Sequence, residues 1–143
     1  MSSPAFRNNL HESLFIDSFV LPARHSRWKT FLGHPRRRTD FLHTLADRTD
    51  LDERCFIEVK GPPAIEALIN YLKKLGAQND CYVMSESRQL DMRTMELSEA
   101  LGSVYGCGLG TVISCLAGEL AYYEGEYGAR CILHRKPCSV RKP

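Results

Sequence analysis

The segment TVISCLAGELAYYEGEYGARCILHR, residues 111–135, decides the fold class. It holds three runs rich in β-branched, aromatic and other apolar residues, separated by glycine-containing turns, as is typical of strands joined by hairpins. The expected strands lie at 111–117, 119–125 and 130–135. Connections this short leave no room for the crossover helices that parallel strands require, so the segment predicts an antiparallel meander.

Two adjacent tyrosines mark the middle of this meander. Neighbouring side chains of a strand point to opposite faces of the sheet, so we expect one of Tyr122 and Tyr123 in the core and the other exposed. An aromatic ring on a half-buried sheet face is common, whereas an exposed ring beside Glu124 could stack on a ligand or partner.

Two helices and one further strand are expected between the N-terminal third and the meander. The run Cys81–Met84 has the continuous apolar character of a buried strand. Helical spacing of apolar residues predicts one helix that ends at Gly76 and a shorter one that ends near Gly106. Phe56–Val59 fits either a short strand or an extended linker, and Ser85–Arg93 is expected to be a polar loop.

The first third of the chain is expected to be helical. Asn9 and Glu12 have the spacing of a capping box at the start of a first helix. Pro22 and Pro35 suit the first turns of a second and a third helix, and Gly33 suits the end of the second. The sequence thus predicts an α+β fold: a helical N-terminal part of about three helices, followed by a small, mainly antiparallel sheet of about four strands with two helices.

Length and composition are those of a soluble globular chain. Of the 143 residues, 43% are hydrophobic and 25% charged, which excludes a disordered, collagen-like or supercharged chain. We expect a single domain over residues 1–143, with a helical part (1–50), an α/β part that includes the meander (51–135) and a flexible tail (136–143). The chain shows neither a secretory signal nor the run of about twenty apolar residues that crosses a bilayer, so a cytoplasmic protein without membrane contact is expected.

Charge is unevenly distributed along the chain, although the formal net charge is only +2. Residues 1–50 hold eight basic and five acidic residues, residues 51–126 hold six and twelve, and residues 127–143 hold five and none. A basic, an acidic and a second basic block therefore follow one another. These blocks either fold onto one another or face different partners.

The strongest electrostatic signal lies between residues 24 and 38, a stretch without carboxylates. Guanidinium groups fit phosphate oxygens, and a helix that starts at Pro35 would add partial positive charge, so the functional interpretation is phosphate-backbone contact. The alternative is that these cations form the solvated faces of helices or pair with the acidic block. The candidate anion-binding residues are Arg24, Arg27, Lys29, Arg36, Arg37 and Arg38.

A second candidate site surrounds the glycine-rich segment Gly106–Gly110. Its order, a helix, then a glycine loop, then a strand, is not that of a dinucleotide fingerprint, so a helix end with close backbone approach is the favoured interpretation. Cys107 in this loop is the cysteine best placed for reactivity, although no histidine lies near it in sequence to act as its base. Glu86 and Glu124 are candidate catalytic carboxylates, expected to converge near Arg88.

Six cysteines stand at positions 55, 81, 107, 115, 131 and 138. They are expected to be reduced and mostly buried, because disulfide-rich domains are usually small and poor in core. Cys131, His134 and Cys138 have a spacing suggestive of metal ligands. However, the chain has no Cys-x-x-Cys pair, and a strand over 131–134 would turn Cys131 and His134 to opposite faces. We therefore expect neither a metal nor a cofactor.

The leading hypothesis is a small non-enzymatic binding or regulatory protein that contacts an anionic macromolecule through an arginine-rich helical face. The partner classes considered are a nucleic acid and an acidic protein. No complete catalytic set is visible, which argues against an enzyme. The alternative is a small-molecule-binding protein or enzyme with its site between the 85–93 loop and the 106–110 glycine loop. A third class, an obligate dimer or structural partner, requires an exposed apolar patch, and the sequence leaves the oligomeric state open.

Overall fold

An antiparallel sheet lies at the centre of the protein. The computed structural model describes residues 4–59 and 64–135, with side chains from Leu10 onward. Within these ranges the strands are β1 (Phe56–Glu58), β2 (Asp80–Ser85), β3 (Thr94–Glu96), β4 (Thr111–Leu116), β5 (Leu120–Glu124) and β6 (Arg130–His134). They are arranged in the order β1-β6-β5-β4-β2-β3, and every neighbouring pair is antiparallel. The predicted meander is confirmed as β4, β5 and β6.

Helices cover both faces of this sheet. In the described ranges the α-helices are α1 (Pro4–Phe19), α2 (His25–Leu32), α3 (Arg38–Leu42), α4 (Ile65–Lys74) and α5 (Leu97–Val104), with short 3-10 turns at Pro22–Arg24, His43–Ala46, Glu53–Cys55 and Glu126–Gly128. The first three α-helices pack on one face of the sheet, and α4 and α5 pack on the other. The result is a three-layer fold of the predicted α+β class. No helix within the described ranges is both long enough and apolar enough to cross a membrane.

Cross-strand neighbours show how alternate residues supply two cores. The row under α1, α2 and α3 consists of Met84, Val112, Tyr123 and Cys131. The adjacent row, under α4 and α5, consists of Val83, Ile113, Tyr122 and Ile132. Because both rows are buried, the central strands have continuous apolar runs rather than the alternation of a sheet with one wet face.

The expectation that one of the two central tyrosines is exposed is wrong for the same reason. Tyr122 and Tyr123 point to opposite faces, yet both are fully buried. Alternation along a strand separates the two faces, but only the packed helices decide whether a face meets water.

Several element boundaries also differ from the predicted ones. The sheet has six strands in the described ranges because both edge strands, β1 and β3, are real strands of three residues. Strands this short show too few residues for a periodic pattern. α1 begins at Pro4, so Asn9 lies inside the helix and does not cap it. α3 begins at Arg38, so no helix N-terminus lies at Pro35.

A buried arginine joins the helical part to the sheet. Arg38 is only 7% exposed, and its guanidinium uses all five N–H donors. Two bonds reach Glu12 on α1 (2.9 and 2.6 Å), two reach Asp91 in the loop after β2 (2.7 and 3.0 Å), and one reaches the Leu32 carbonyl on α2 (3.1 Å). Glu12 also accepts a hydrogen bond from the hydroxyl of Tyr82 on β2. One side chain therefore fixes three helices and a loop relative to the sheet.

We expect Arg38→Met to lower the free energy of unfolding by about 3–5 kcal/mol, because it leaves the buried carboxylate of Glu12 and the partly buried carboxylate of Asp91 without their counter-charge. Urea denaturation followed by circular dichroism measures the change. Arg37→Met, which alters the exposed neighbour, is the matched control and should change the same quantity by no more than about 0.5 kcal/mol. Equal stability of the two variants would contradict the structural role of Arg38.

Candidate functional site

A polar row crosses the sheet at the end that faces the glycine-rich loop. The row consists of Ser85, Thr111, Glu124 and Arg130 on adjacent strands. The hydroxyls of Ser85 and Thr111 lie 2.7 Å apart, and Nε of Arg130 lies 3.5 Å from the Glu124 carboxylate. The loop that joins α5 to β4 is bound to this row through Glu124.

Glu124 is the central acceptor for the loop. It is fully buried, and its carboxylate accepts the backbone N–H groups of Gly106 and Gly108 at 3.1 Å each. It also accepts the Tyr122 hydroxyl at 2.9 Å. Burial and the nearby carboxylate raise the pKa of Tyr122 far above its usual range, so the hydroxyl remains a donor. These structural partners, rather than a substrate, occupy the Glu124 carboxylate.

Glu86 binds the same loop from the opposite face of the sheet. One of its oxygens accepts the Gly110 N–H at 2.6 Å, and the other lies 2.8 Å from Nδ1 of His43. The imidazole is largely in solvent, with 71% of the side chain exposed, whereas the Glu86 side chain is 13% exposed. Hydrogen bonding to the Glu86 carboxylate and its negative charge raise the pKa of His43 above the usual value.

The 3-10 turn after α3, which carries this histidine, is held tightly against the end of the sheet. Tyr123 donates its hydroxyl to the Leu45 carbonyl at 2.6 Å. A Cβ atom on Gly110 would lie 2.6 Å from the Leu45 backbone, and one on Gly125 would lie 2.6 Å from the Ala46 carbonyl oxygen. Both positions therefore require glycine, because no side chain fits between such closely packed backbones.

The backbone N–H groups of the glycine loop that could bind a phosphate are already hydrogen-bonded. Gly106, Gly108 and Gly110 each donate a backbone N–H to a carboxylate of the protein itself. The close backbone approach expected for this segment occurs at Gly110. The loop is thus organised by internal anions and is unsuited to the dinucleotide role.

The other two groups considered for this site do not join the carboxylates. Cys107 is exposed, and its thiol donates to the Ser103 carbonyl of α5 at 2.9 Å. Arg88 is exposed, and within residues 4–59 and 64–135 it forms no ion pair with Glu86 or Glu124. Glu86 and Glu124 therefore bind the same loop from opposite faces of the sheet, and neither contacts Cys107 or Arg88.

The candidate metal ligands near the end of the chain are not brought together in the described part. Cys131 is fully buried under α1, α2 and α3, where burial raises the pKa of its thiol to about 11. His134 lies three residues along β6 and therefore belongs to the opposite face. No group of three metal-ligating side chains in the described ranges includes either residue, and Cys138 lies outside those ranges. None of the other described cysteines forms a disulfide, and Cys55, Cys81 and Cys115 are buried.

The basic stretch from residue 24 to 38 divides into engaged and free cations. Arg38 is buried and fully hydrogen-bonded, so its assignment as an anion-binding residue is wrong. Arg24 lies 3.5 Å from Asp50 and Lys29 lies 3.4 Å from Asp17, with the basic side chains 50% and 54% exposed. Exposed ion pairs of this kind contribute little stability, so both cations can exchange their partner for another anion.

Arg27, Arg36 and Arg37, which we name the arginine surface, are exposed and form no ion pair with any described residue. The Arg27 guanidinium carbon lies 5.8 Å from the ring centre of Phe31 and 5.9 Å from that of Phe41, within cation–π range. A cavity of about 280 Å³ beside them is lined by Arg27, Phe31, Arg37, Asp40, Phe41 and Thr44.

A larger cavity, of about 930 Å³, opens beside the edge strand β1. Both of its basic side chains are paired with carboxylates of the lining: Arg48 binds Glu58 at 3.0 Å, and Arg54 binds Asp52 at 2.8 Å. No sequence motif indicates this cavity. Asp47 and Glu53 in the same lining have no arginine partner there, so the cavity does not suit an anionic ligand.

The residue that sequence reasoning missed at the sheet end is His43. It lies 43 positions before Glu86, and no motif or periodic pattern relates the two residues. The one available signal is a polar residue directly after the apolar positions of α3, which is also typical of an ordinary helix end.

We expect Glu124→Gln to destabilise the protein by about 1–3 kcal/mol, because an amide NH₂ would then face N–H donors that need an acceptor. Amide hydrogen exchange at Gly106 and Gly108 should become faster in this variant. Urea denaturation and exchange measured by NMR report the two effects. Glu119→Gln, in the exposed turn between β4 and β5, is the control; if it behaves like Glu124→Gln, the role assigned to Glu124 is wrong.

We expect the imidazoles of His43 and His11 to titrate in the order set by their surroundings. The Glu86 carboxylate raises the pKa of His43, whereas burial lowers that of His11. An NMR titration of the histidine ring protons should therefore show His43 losing its proton at higher pH than His11. Glu86→Gln should lower the pKa of His43 and leave that of His11 unchanged, and an unmoved His43 would show that the pair does not form.

Comparison with known proteins does not identify a family or a function for this chain. No protein-family model, curated protein or solved structure matches the chain. The chemistry of the arginine surface and of the sheet end is therefore the basis on which a function can be assigned.

Proposed function

We propose that the protein is a non-enzymatic nucleic-acid-binding protein that contacts the phosphate backbone through the arginine surface. The observation that carries this proposal is that Arg27, Arg36 and Arg37 are exposed without a carboxylate partner among the described residues. A guanidinium group presents a planar set of donors that fits two phosphate oxygens at once. Charge without an internal partner is available to an anionic ligand at no cost in broken ion pairs.

The aromatic rings beside Arg27 support a nucleic acid as the anion. Phe31 is only partly buried and lies beneath the guanidinium, while Phe41 forms the buried wall behind it. Bases stack on exposed aromatic rings and on arginine planes, so this pairing suits an unstacked nucleotide as well as its phosphate. Asp40 in the same cavity offsets part of the positive charge and would direct phosphates toward the outer arginines.

A second basic segment adjoins the arginine surface. The ion pair between Arg38 and Asp91 holds the loop after β2 against α3. That loop and its end carry Arg88 and Arg93, both exposed and without an ion pair to any described residue. The exposed cations of these two segments therefore lie on connected parts of the surface, which extends the contact available to a polyanion.

The small-molecule alternative, with a site between the 85–93 loop and the 106–110 glycine loop, has less support. Glu86 joins the two loops directly through the Gly110 N–H. The backbone donors that a ligand would need there are bound by Glu86 and Glu124. A ligand would have to displace buried carboxylates from their hydrogen bonds, which is costly.

Fluorescence anisotropy with a labelled single-stranded oligothymidylate and a labelled duplex tests the proposal. We expect salt-dependent binding, with an affinity that falls linearly with salt on logarithmic axes. Arg36→Gln combined with Arg37→Gln should weaken binding and reduce the slope by about two units, one for each lost phosphate contact. Stronger binding of the single strand would indicate that base stacking contributes to the contact.

The matched control removes the same charge from the opposite layer. Lys73→Gln combined with Lys74→Gln changes two adjacent exposed cations on α4, on the other face of the sheet. This control should leave affinity and slope unchanged. The proposal fails if neither oligonucleotide binds with a dependence on salt, or if both double variants weaken binding equally, since net charge alone would then explain the binding.

A further inference from the structure

We propose that His43, Glu86 and Glu126 form a binding site for a divalent transition-metal ion, such as Zn²⁺. One ligand atom from each side chain, an imidazole nitrogen and two carboxylate oxygens, lies within 4.8 Å of the other two. The three residues come from the turn after α3, the position directly after β2 and the turn between β5 and β6. This site uses none of the residues of the arginine surface, so the proposal does not depend on the proposed function.

The ligand set selects the class of metal. Imidazole together with carboxylate oxygens suits zinc and neighbouring first-row metals, whereas calcium and magnesium prefer ligands that are all oxygen. The His43 side chain is largely in solvent, so an ion held here can keep water as a further ligand. Three protein ligands with an open position are typical of zinc sites that exchange ligands.

Two of the ligands are positioned by contacts behind the site. Glu86 is oriented by the Gly110 N–H, and the turn that carries His43 is anchored by the Tyr123 hydroxyl on the Leu45 carbonyl. Hydrogen bonds of this kind orient metal ligands and strengthen binding. Nδ1 of His43 and the Glu86 oxygen lie 2.8 Å apart. Ligand atoms around a tetrahedral zinc ion are about 3.4 Å apart, so this pair needs only a small separation.

Glu126 adds a third possible ligand to the hydrogen-bonded pair of His43 and Glu86. Its carboxylate lies beside that of Glu86 and has no hydrogen-bond partner among the described residues. Two neighbouring carboxylates beside an imidazole nitrogen attract a cation more strongly than one carboxylate does. A divalent ion that replaces the shared proton of His43 would neutralise both carboxylates, and a rotation of the partly exposed Glu126 side chain would complete the coordination.

Isothermal titration of Zn²⁺ into the full-length, metal-free protein tests this proposal. The background carries Cys107→Ser and Cys138→Ser, because an exposed thiol and a thiol outside the described ranges would otherwise compete for zinc. We expect one zinc ion per chain. His43→Ala and Glu126→Gln, tested separately, should each weaken the affinity by about tenfold or more.

Matched controls make the same substitutions at exposed positions outside the cluster. His34→Ala and Glu119→Gln should leave zinc affinity unchanged. On addition of zinc, the NMR signals of the His43 ring should shift, and those of the His34 ring should stay. The proposal is overturned if no saturable binding occurs at millimolar zinc, or if zinc binds the His43 and Glu126 variants as tightly as the background protein. Circular dichroism confirms that each variant is folded, and because Glu126→Gln removes no described hydrogen bond, it keeps the test decisive if His43→Ala disturbs the turn.

Discussion

The buried guanidinium of Arg38 is the contact that joins the N-terminal helices to the sheet. It binds two carboxylates from distant parts of the chain, Glu12 on α1 and Asp91 after β2, and the main chain of α2. Each of these charges is costly to bury alone, and their mutual hydrogen bonds offset the cost only when all three are in place. Because Arg38, Glu12 and Asp91 must come together, α1, α2 and α3 can lie on the sheet in few arrangements. The contact thereby also sets the position of the turn after α3, which brings His43 to Glu86.

The same contact divides the basic stretch into a structural and an available part. Arg38 takes one of its two counter-charges, Asp91, from the acidic middle of the sequence, and Arg48 pairs with Glu58 of the same block. The basic and acidic blocks thus fold onto one another in part. Within the described ranges, the three arginines of the arginine surface form no such ion pair. Their exposed guanidinium groups, rather than the net charge of +2, are therefore the reason to propose an anionic partner.

Prediction from sequence succeeded where neighbouring residues decide the structure. The meander, the apolar strand β2 and the helices α4 and α5 follow from spacing and turn residues within short segments. It failed where the surroundings decide. The three-residue strand β3 was not predicted, and for Phe56–Val59 the sequence allowed a strand or a linker, because strands this short form only where a neighbouring strand offers a hydrogen-bonding edge. Both Tyr122 and Tyr123 are buried because helices cover each face of the sheet. Glu86 and Glu124 were identified as notable carboxylates, but as catalysts rather than as acceptors for the glycine loop.

The sequence by itself determined the α+β class and the antiparallel order of the last three strands, because short connections permit no other pairing. It also determined which side chains can carry charge or bind a ligand. Only the tertiary structure decided which of these side chains are exposed and which lie close together. It buried Arg38, left Arg37 exposed one residue away, and placed His43 beside Glu86. The physical reason is that burial and ion pairing depend on groups that packing brings together from distant segments of the chain. Residue type and local spacing contain no information about which distant segments come into contact.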